Sequence, residues 1–360
     1  MVKRILLSLA LIGVLSAQAQ KKEALPGAKS VRVETATCLT DLSIVPHLEE
    51  NLRDAKLSIR ARVQNGVGAF IRFRLEDARG LRVYESPTGG KMNTDNQQLD
   101  IQLKNVRLWT SEVPYLYTLY VKLSDRNGKE LESTSKKILF RRVDFKDGRL
   151  VVNGTPILAK GINLAEIDGR GDGHRSTERM MQDIRLMKRL NVNAVCLGPD
   201  AADPRWGDLC DRYGIYVLND ADFGHRSLVN STNAPTPQAK ALQYGYQSIW
   251  TSELNADAGT VKVRNDNFFI DLYDVALEAV VMVDGQKVGT TVFADLDIQP
   301  GCEKTVTVPR LDRYVRKART EYPDKEIVVD LNFYQTWDEL DILDPDEPIA
   351  REHYVVAPAG

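Results

Sequence analysis

Three pieces of residues 192–218 decide the architecture: Val192-Asn193-Ala194-Val195-Cys196-Leu197, then Asp203-Pro204-Arg205-Trp206-Gly207-Asp208-Leu209-Cys210-Asp211-Arg212-Tyr213-Gly214, then Ile215-Tyr216-Val217-Leu218. The outer two are short apolar runs. The middle one carries helix punctuation, with Asp203 as N-cap, Pro204 at the first helical position and Gly214 just past the end. Apolar strands alternating with helices mean parallel strands covered on both faces. Working upstream, Thr177–Leu190 reads as a helix with Met180, Ile184 and Met187 on one face. Ser176 or Thr177 can cap it, and Glu178 suits the positive end of its dipole. Leu150-Val151-Val152 and Ile157–Ile162 read as strands around the turn Asn153-Gly154.

On either side the period changes to two. Leu57, Ile59, Ala61 and Val63 alternate with Ser58, Arg60 and Arg62, and Ile71, Phe73 and Leu75 alternate with Arg72 and Arg74. Turn signals such as Asn65-Gly66 and Asn127-Gly128 separate the runs. The pattern predicts half-buried antiparallel strands and an immunoglobulin-like β-sandwich over 31–145. It returns in Val261, Val263, Ala276–Val283, Thr305–Val308 and Ile327–Phe333, with Asp284-Gly285 as a hairpin signal. A second β-sandwich is expected over 241–358. Between them, 146–227 is the α/β segment and 228–240, rich in Ser, Thr, Asn and Pro, reads as a linker.

Lys3 and Arg4, the apolar run Ile5–Leu15 and Ala17-Gln18-Ala19 have the form of a signal peptide, 1–19, cleaved after Ala19. Residues 20–30 are a polar lead. The expected location is secreted or periplasmic in a bacterium, with no membrane span after cleavage. The 360 residues carry 48 basic and 50 acidic side chains, a net charge of -2. That balance provides no basic field for nucleic acid. Cys38, Cys196, Cys210 and Cys302 lack metal spacing and are expected to be buried free thiols. The four histidines are scattered, so neither a metal nor a cofactor is expected.

Leu108-Trp109-Thr110-Ser111-Glu112-Val113-Pro114-Tyr115-Leu116-Tyr117 resembles the L-W-S-x-E-x-P-x-L-Y signature of glycoside hydrolase family 2 β-galactosidases. The similarity continues through Phe140-Arg141-Arg142-Val143, Leu150-Val151-Val152-Asn153-Gly154, Lys160-Gly161-Ile162-Asn163, Met187-Lys188 and Asn193-Ala194-Val195. It reaches Leu209-Cys210-Asp211-Arg212-Tyr213-Gly214-Ile215-Tyr216-Val217. Asn265-Asp266-Asn267-Phe268-Phe269 and Asp295-Leu296-Asp297-Ile298 resemble the sandwich after that family's barrel. The resemblance implies a jelly roll, an immunoglobulin-like domain, a (β/α)₈ barrel and further sandwiches. By that pattern the jelly roll is missing here and the barrel stops after its third strand. A complete barrel takes eight strands and roughly 250 residues. The expected fold is therefore mixed β and α/β: an immunoglobulin-like β-sandwich, a partial (β/α) barrel of about three strands, and a second β-sandwich.

Retaining glycosidases use two carboxylates about 5 Å apart. The resemblance places the family's pair, an Asn-Glu and a later Glu, on barrel strands beyond the third, and no Asn-Glu dipeptide occurs here. The family's G-x-N-R-H-E is Gly161-Ile162-Asn163-Leu164-Ala165-Glu166, its R-x-S-H-Y-P is Cys196-Leu197-Gly198-Pro199-Asp200-Ala201, and its D-E-A-N is Asn219-Asp220-Ala221-Asp222. No catalytic residue is expected. Asn163, Glu166, Asp220 and Asp222, with Asp168 nearby, are the candidate substrate-binding residues, because barrel sites lie at C-terminal strand ends. His225 reads as a surface histidine. Trp109 is expected within the first sandwich and Trp206 over the sheet. The acidic run Asp338, Glu339, Asp341, Asp344, Asp346, Glu347 reads as a solvated loop.

Right-handed crossovers put both helices on one face of the short sheet, leaving the other bare. The flanking sandwiches, the linker or another chain is expected to cover it. Three functions remain open: a non-catalytic carbohydrate-binding or accessory protein, a β-galactosidase-type hydrolase completed by a partner chain or a rebuilt site, and a deletion product without a role. The expected partners are a galactoside or polysaccharide, and a protein partner or second copy over the partial sheet.

Overall fold

The structure is a computed structural model that describes residues 36–87, 90–146, 149–167, 175–198, 203–218, 226–230, 234–338 and 340–358. The expected signal peptide 1–19 and lead 20–30 lie outside the described residues. So do Asp168, His174, Asp220, Asp222, His225 and Glu339. The chain is mixed β and α/β, mostly sheet, and its described residues close no barrel.

Seven strands open the described chain: β1 (Cys38–Leu48), β2 (Ala55–Gln64), β3 (Phe70–Glu76), β4 (Arg82–Glu85), β5 (Asn96–Leu103), β6 (Tyr117–Ser124) and β7 (Glu130–Ile138). They form two antiparallel sheets, β1-β2-β5 and β4-β3-β6-β7. Every second residue of β2 is buried, from Ala55 to Val63, as are Ile71, Phe73 and Leu75 of β3. These rows share one apolar core, which is the period-two pattern made physical. A small meander follows, from β8 (Val143–Lys146) to β9 (Arg149–Val152) and β10 (Thr155–Ile157).

The run Ile157–Ile162, expected as one strand, is two. β10 ends at Ile157, and β11 (Gly161–Asn163) begins after a break. Asn193 makes the break: its Oδ1 accepts the Lys160 N–H at 2.7 Å and its Nδ2 donates to the Leu158 carbonyl at 3.0 Å. β11, β12 (Ala194–Cys196) and β13 (Tyr216–Val217) then form a parallel sheet in that order. Helix α1 (Thr177–Arg189) joins the first two, with Ser176 as N-cap, and α2 (Pro204–Tyr213) joins the last two, with Asp203 as N-cap and Gly214 at φ +70°. Ile162, Val195 and Val217 stand abreast and pack with Met180, Ile184, Met187, Trp206 and Cys210 of the helices.

The opposite face carries Ala194 and Tyr216, and it is not bare. It packs against Trp109, Leu150, Val152, Ile157, Phe268 and Phe269. Trp109 therefore sits at the junction of the first sandwich with the parallel sheet rather than inside the sandwich. Its ring meets Tyr216 edge-on at 5.3 Å, the Arg141 guanidinium lies 4.4 Å above it, and its Nε1 donates to the Asp211 carbonyl at 2.6 Å.

The stretch 228–240, expected as a linker, is folded where it is described. Leu228 and Val229 are buried, and Thr236 and Pro237 start helix α3 (Pro237–Gly245) as N-cap and first residue. Ala239 and Leu242 anchor it in the core beside α1. Composition suggested a flexible connection, but the same residues are helix-start chemistry once apolar positions follow at the right spacing.

The last region pairs β14 (Ile249–Asn255), β15 (Thr260–Asn265) and β18 (Glu303–Thr307) in one sheet. β16 (Val275–Val283), β17 (Gln286–Phe293), β19 (Ile327–Gln335) and β20 (Ala350–Ala357) form another, in the order β17-β16-β19-β20. Asp284 and Gly285 both have positive φ and make the tight β16–β17 turn. An unforeseen helix, α4 (Leu311–Glu321), buries Leu311, Val315 and Ala318 in the same core.

No disulfide joins any two of the four cysteines. Only Cys210 is buried; Cys38 and Cys196 are half-buried and Cys302 is exposed, which corrects the expectation of four buried thiols. Cys302 lies in the turn before β18.

Candidate functional site

The C-terminal end of the parallel sheet is the place to look, because strand ends there project side chains into one mouth. Asn163 ends β11, and a short 3-10 turn, Leu164–Ile167, follows at once. That turn folds Glu166 inward, where it is 5 % exposed. Its Oε1 accepts the Asn163 N–H at 3.0 Å, and its Oε2 accepts from Arg226 Nε at 2.8 Å. Arg226 also donates to the Gly161 carbonyl at 3.2 Å. The Tyr246 hydroxyl donates to the same carbonyl at 2.9 Å. The hydrogen bond to the Glu166 carboxylate raises the Arg226 guanidinium pKa above its ordinary value. Glu166 therefore acts here as a brace. It ties the end of β11 to the returning chain, and Arg226 and Tyr246 satisfy an outward carbonyl on an edge strand.

Of the four candidate residues, the structure brings Asn163 and Glu166 together through that backbone contact. Asp220 and Asp222 lie outside the described residues. Arg226 was not singled out in the sequence. A basic residue sixty positions from its carboxylate gives no local signal.

A second charged group lies on the sandwich side of the sheet. Glu112 accepts the backbone N–H groups of Phe268 at 3.0 Å and of Phe269 at 2.7 Å. Buried Lys160 reaches Ser248 Oγ at 2.5 Å. Burial raises the Glu112 carboxyl pKa, opposed by the amide bonds and Lys160. Burial pushes the Lys160 ammonium down to about 8, opposed by the charges of Glu112 and Asp266. These groups join the first sandwich, the parallel sheet and the last region, so their chemistry is that of a junction. A native pKa below the ordinary 10.5 means that the unfolded chain holds more protons between pH 8 and 10.5. Stability should therefore rise with pH across that window, by at most about 1.4 kcal/mol per pH unit. Urea midpoints at both ends of the window, in the native protein and in Lys160→Met, measure it. Identical slopes would refute the assignment to Lys160.

The acidic run near the end is a loop that holds itself. Asp338 accepts the N–H groups of Leu340, Ile342 and Leu343, and Glu347 pairs with Arg189 at 3.6 Å. Among the described residues, no three His, Cys, Asp or Glu side chains are grouped to hold a metal.

Set beside known proteins, successive stretches of the chain match three family models. They are glycosyl hydrolases family 2 over residues 37–141, the TIM barrel domain of glycosyl hydrolases family 2 over 143–264, and β-galactosidase domain 4 over 261–357. The chain belongs to glycosyl hydrolase family 2, as a relative of its β-galactosidases. It is 35% identical over 201 residues to a β-galactosidase of Lactococcus lactis, covering 55% of this chain and 19% of that protein. It is 32% identical over 233 residues to one from Photobacterium profundum, covering 61% and 22%. The chain thus spans about a fifth of the length of the curated relatives it matches. Among solved structures, a β-glucuronidase from Parabacteroides merdae aligns with TM-score 0.44 and 23% identity over 51% of this chain and 23% of that one.

Proposed function

We propose that this chain is an exported, catalytically inactive β-galactosidase relative that serves as a carbohydrate-binding or accessory protein. In this reading it is an immunoglobulin-like sandwich, a partial (β/α) barrel of about three strands, and a second sandwich. One observation carries it. Among the described residues the parallel sheet has three strands, and Arg226 and Tyr246 of the chain that follows brace the first of them. Among the described residues the one inward carboxylate at the strand ends, Glu166, is engaged by Arg226. A retaining site needs two opposed carboxyls free to reach a sugar. Galactosides remain the ligand class, from the names of the curated relatives.

The second reading, a β-galactosidase-type hydrolase completed by a partner chain, draws on the same identity to curated β-galactosidases. A chromogenic β-galactoside separates the two. The purified chain should show no turnover above a Glu166→Gln, Asp220→Asn variant, and clear turnover would overturn the inactive reading. Calorimetry with galactosides tests binding, and silence at millimolar ligand would leave only an accessory role through protein contacts. Export is tested by mass spectrometry of the mature N-terminus, expected to begin at Gln20. Among the described residues no helix is long and apolar enough to cross a membrane.

A further inference from the structure

A cleft of about 360 Å³ lies between the outer side of α1 and the loop 342–349. That is the lower end of the volume that small-ligand sites occupy. Its walls combine apolar surface from Leu186, Ile342 and Ile349 with the polar side chains of α1. The charges along it do not balance. Asp344 accepts only the Asp346 N–H and keeps its charge, but the other two carboxylates are paired with cations: Asp183 is buried and bonded by Arg175 and Arg179, and Glu347 faces Arg189. Two cations are not paired. Arg185 and Lys188 lie three residues apart, on neighbouring turns of one helix face, and both line the cleft. Among the described residues neither makes a hydrogen bond or an ion pair, and Lys188 is half-buried.

A half-buried ammonium without a partner is costly, because water is stripped from it and nothing replaces the lost solvation. Burial lowers the Lys188 pKa, opposed by the charges of Asp338 and Glu112, neither of which bonds to it. An anion in the cleft would supply the missing partner, and the apolar wall would cover the rest of a small organic molecule.

We propose that the cleft between α1 and the loop 342–349 binds a small organic anion, with Lys188 and Arg185 as its charge partners. The body of the ligand is of monosaccharide size, and its acidic group is a carboxylate or a phosphate. The site stands apart from the strand-end brace, so it does not depend on galactoside binding there.

Calorimetric titration of the full chain at low salt with D-galacturonate, D-galactose and inorganic phosphate tests it. Galacturonate should bind about tenfold more tightly than galactose, as one charge-assisted contact implies. Added salt should weaken that binding. Lys188→Met should abolish the preference, with no loss of thermal stability because an unpaired charge is removed. Arg185→Gln, on the exposed side of the helix, should reduce the preference without touching the core. Phosphate binding with the same dependence on Lys188, but no galacturonate binding, would assign the acidic group as phosphate. Equal affinity for acid and neutral sugar, no binding of any probe, or unchanged affinity in both variants would overturn the proposal.

Discussion

Gly214→Ala should destabilise the protein by about 3 kcal/mol, although alanine is the smallest change available. Two costs add. Gly214 has φ +70°, a left-handed conformation that costs an L-residue roughly 1–2 kcal/mol. The added Cβ would also stand 2.2 Å from the Ser111 carbonyl oxygen, so that one of the two backbone segments would have to shift. Ser111 belongs to the junction: its N–H donates to the Tyr216 hydroxyl at 3.2 Å, next to Trp109. Moving it would disturb the contact that covers the free face of the parallel sheet. Gly285→Ala is the matched control, with φ +77° and open space around it. It should cost only about 1 kcal/mol. Urea midpoints read the difference, provided the denaturant slope is unchanged. Equal costs at the two glycines would show that the close approach at Ser111 contributes nothing.

Arg226→Met is the second large effect. It leaves the Glu166 side chain, 3% exposed, without its counter-charge, and removes one of two donors to the Gly161 carbonyl. Breaking a buried pair from one side costs about 3 kcal/mol. Glu166→Gln on the same background removes the orphaned charge while keeping an acceptor for the Asn163 N–H, so stability should recover by about half or more. A double-mutant cycle isolates the coupling. If the two substitutions simply add, the pair is not the brace described above.

Much of this fold was legible because its signals are local. Asp203, Pro204 and Gly214 marked α2 to the residue, and the alternation from Leu57 to Val63 marked a strand with one buried face. The burial of Trp206 was equally readable, from its place on an apolar helix face. What was misread depended on distant partners. Asn193 breaks the run Ile157–Ile162 by bonding the backbone of a segment more than thirty residues earlier. Trp109 sits in a junction whose other half lies a hundred residues downstream. The stretch around Thr236 and Pro237 has linker composition, yet Ala239 and Leu242 find a core to enter. Helix α4 was hidden for a different reason: its apolar positions, Leu311, Val315 and Ala318, are few among charged neighbours, and flanking strands set the expectation. The candidate site divides the same way. Asn163 and Glu166 could be placed at a strand end from sequence, whereas the partner that occupies Glu166 could not.

The carboxylate of Glu112 holding the amides of Phe268 and Phe269 fastens together two positions 156 residues apart. During synthesis that clasp cannot close until the second position has left the ribosome, so everything between must wait with the Ala194–Tyr216 surface only partly sheltered. Contacts of such long sequence separation slow folding more than they affect stability. The period before closure is therefore when this chain is most exposed to aggregation, and when a chaperone would have most to do.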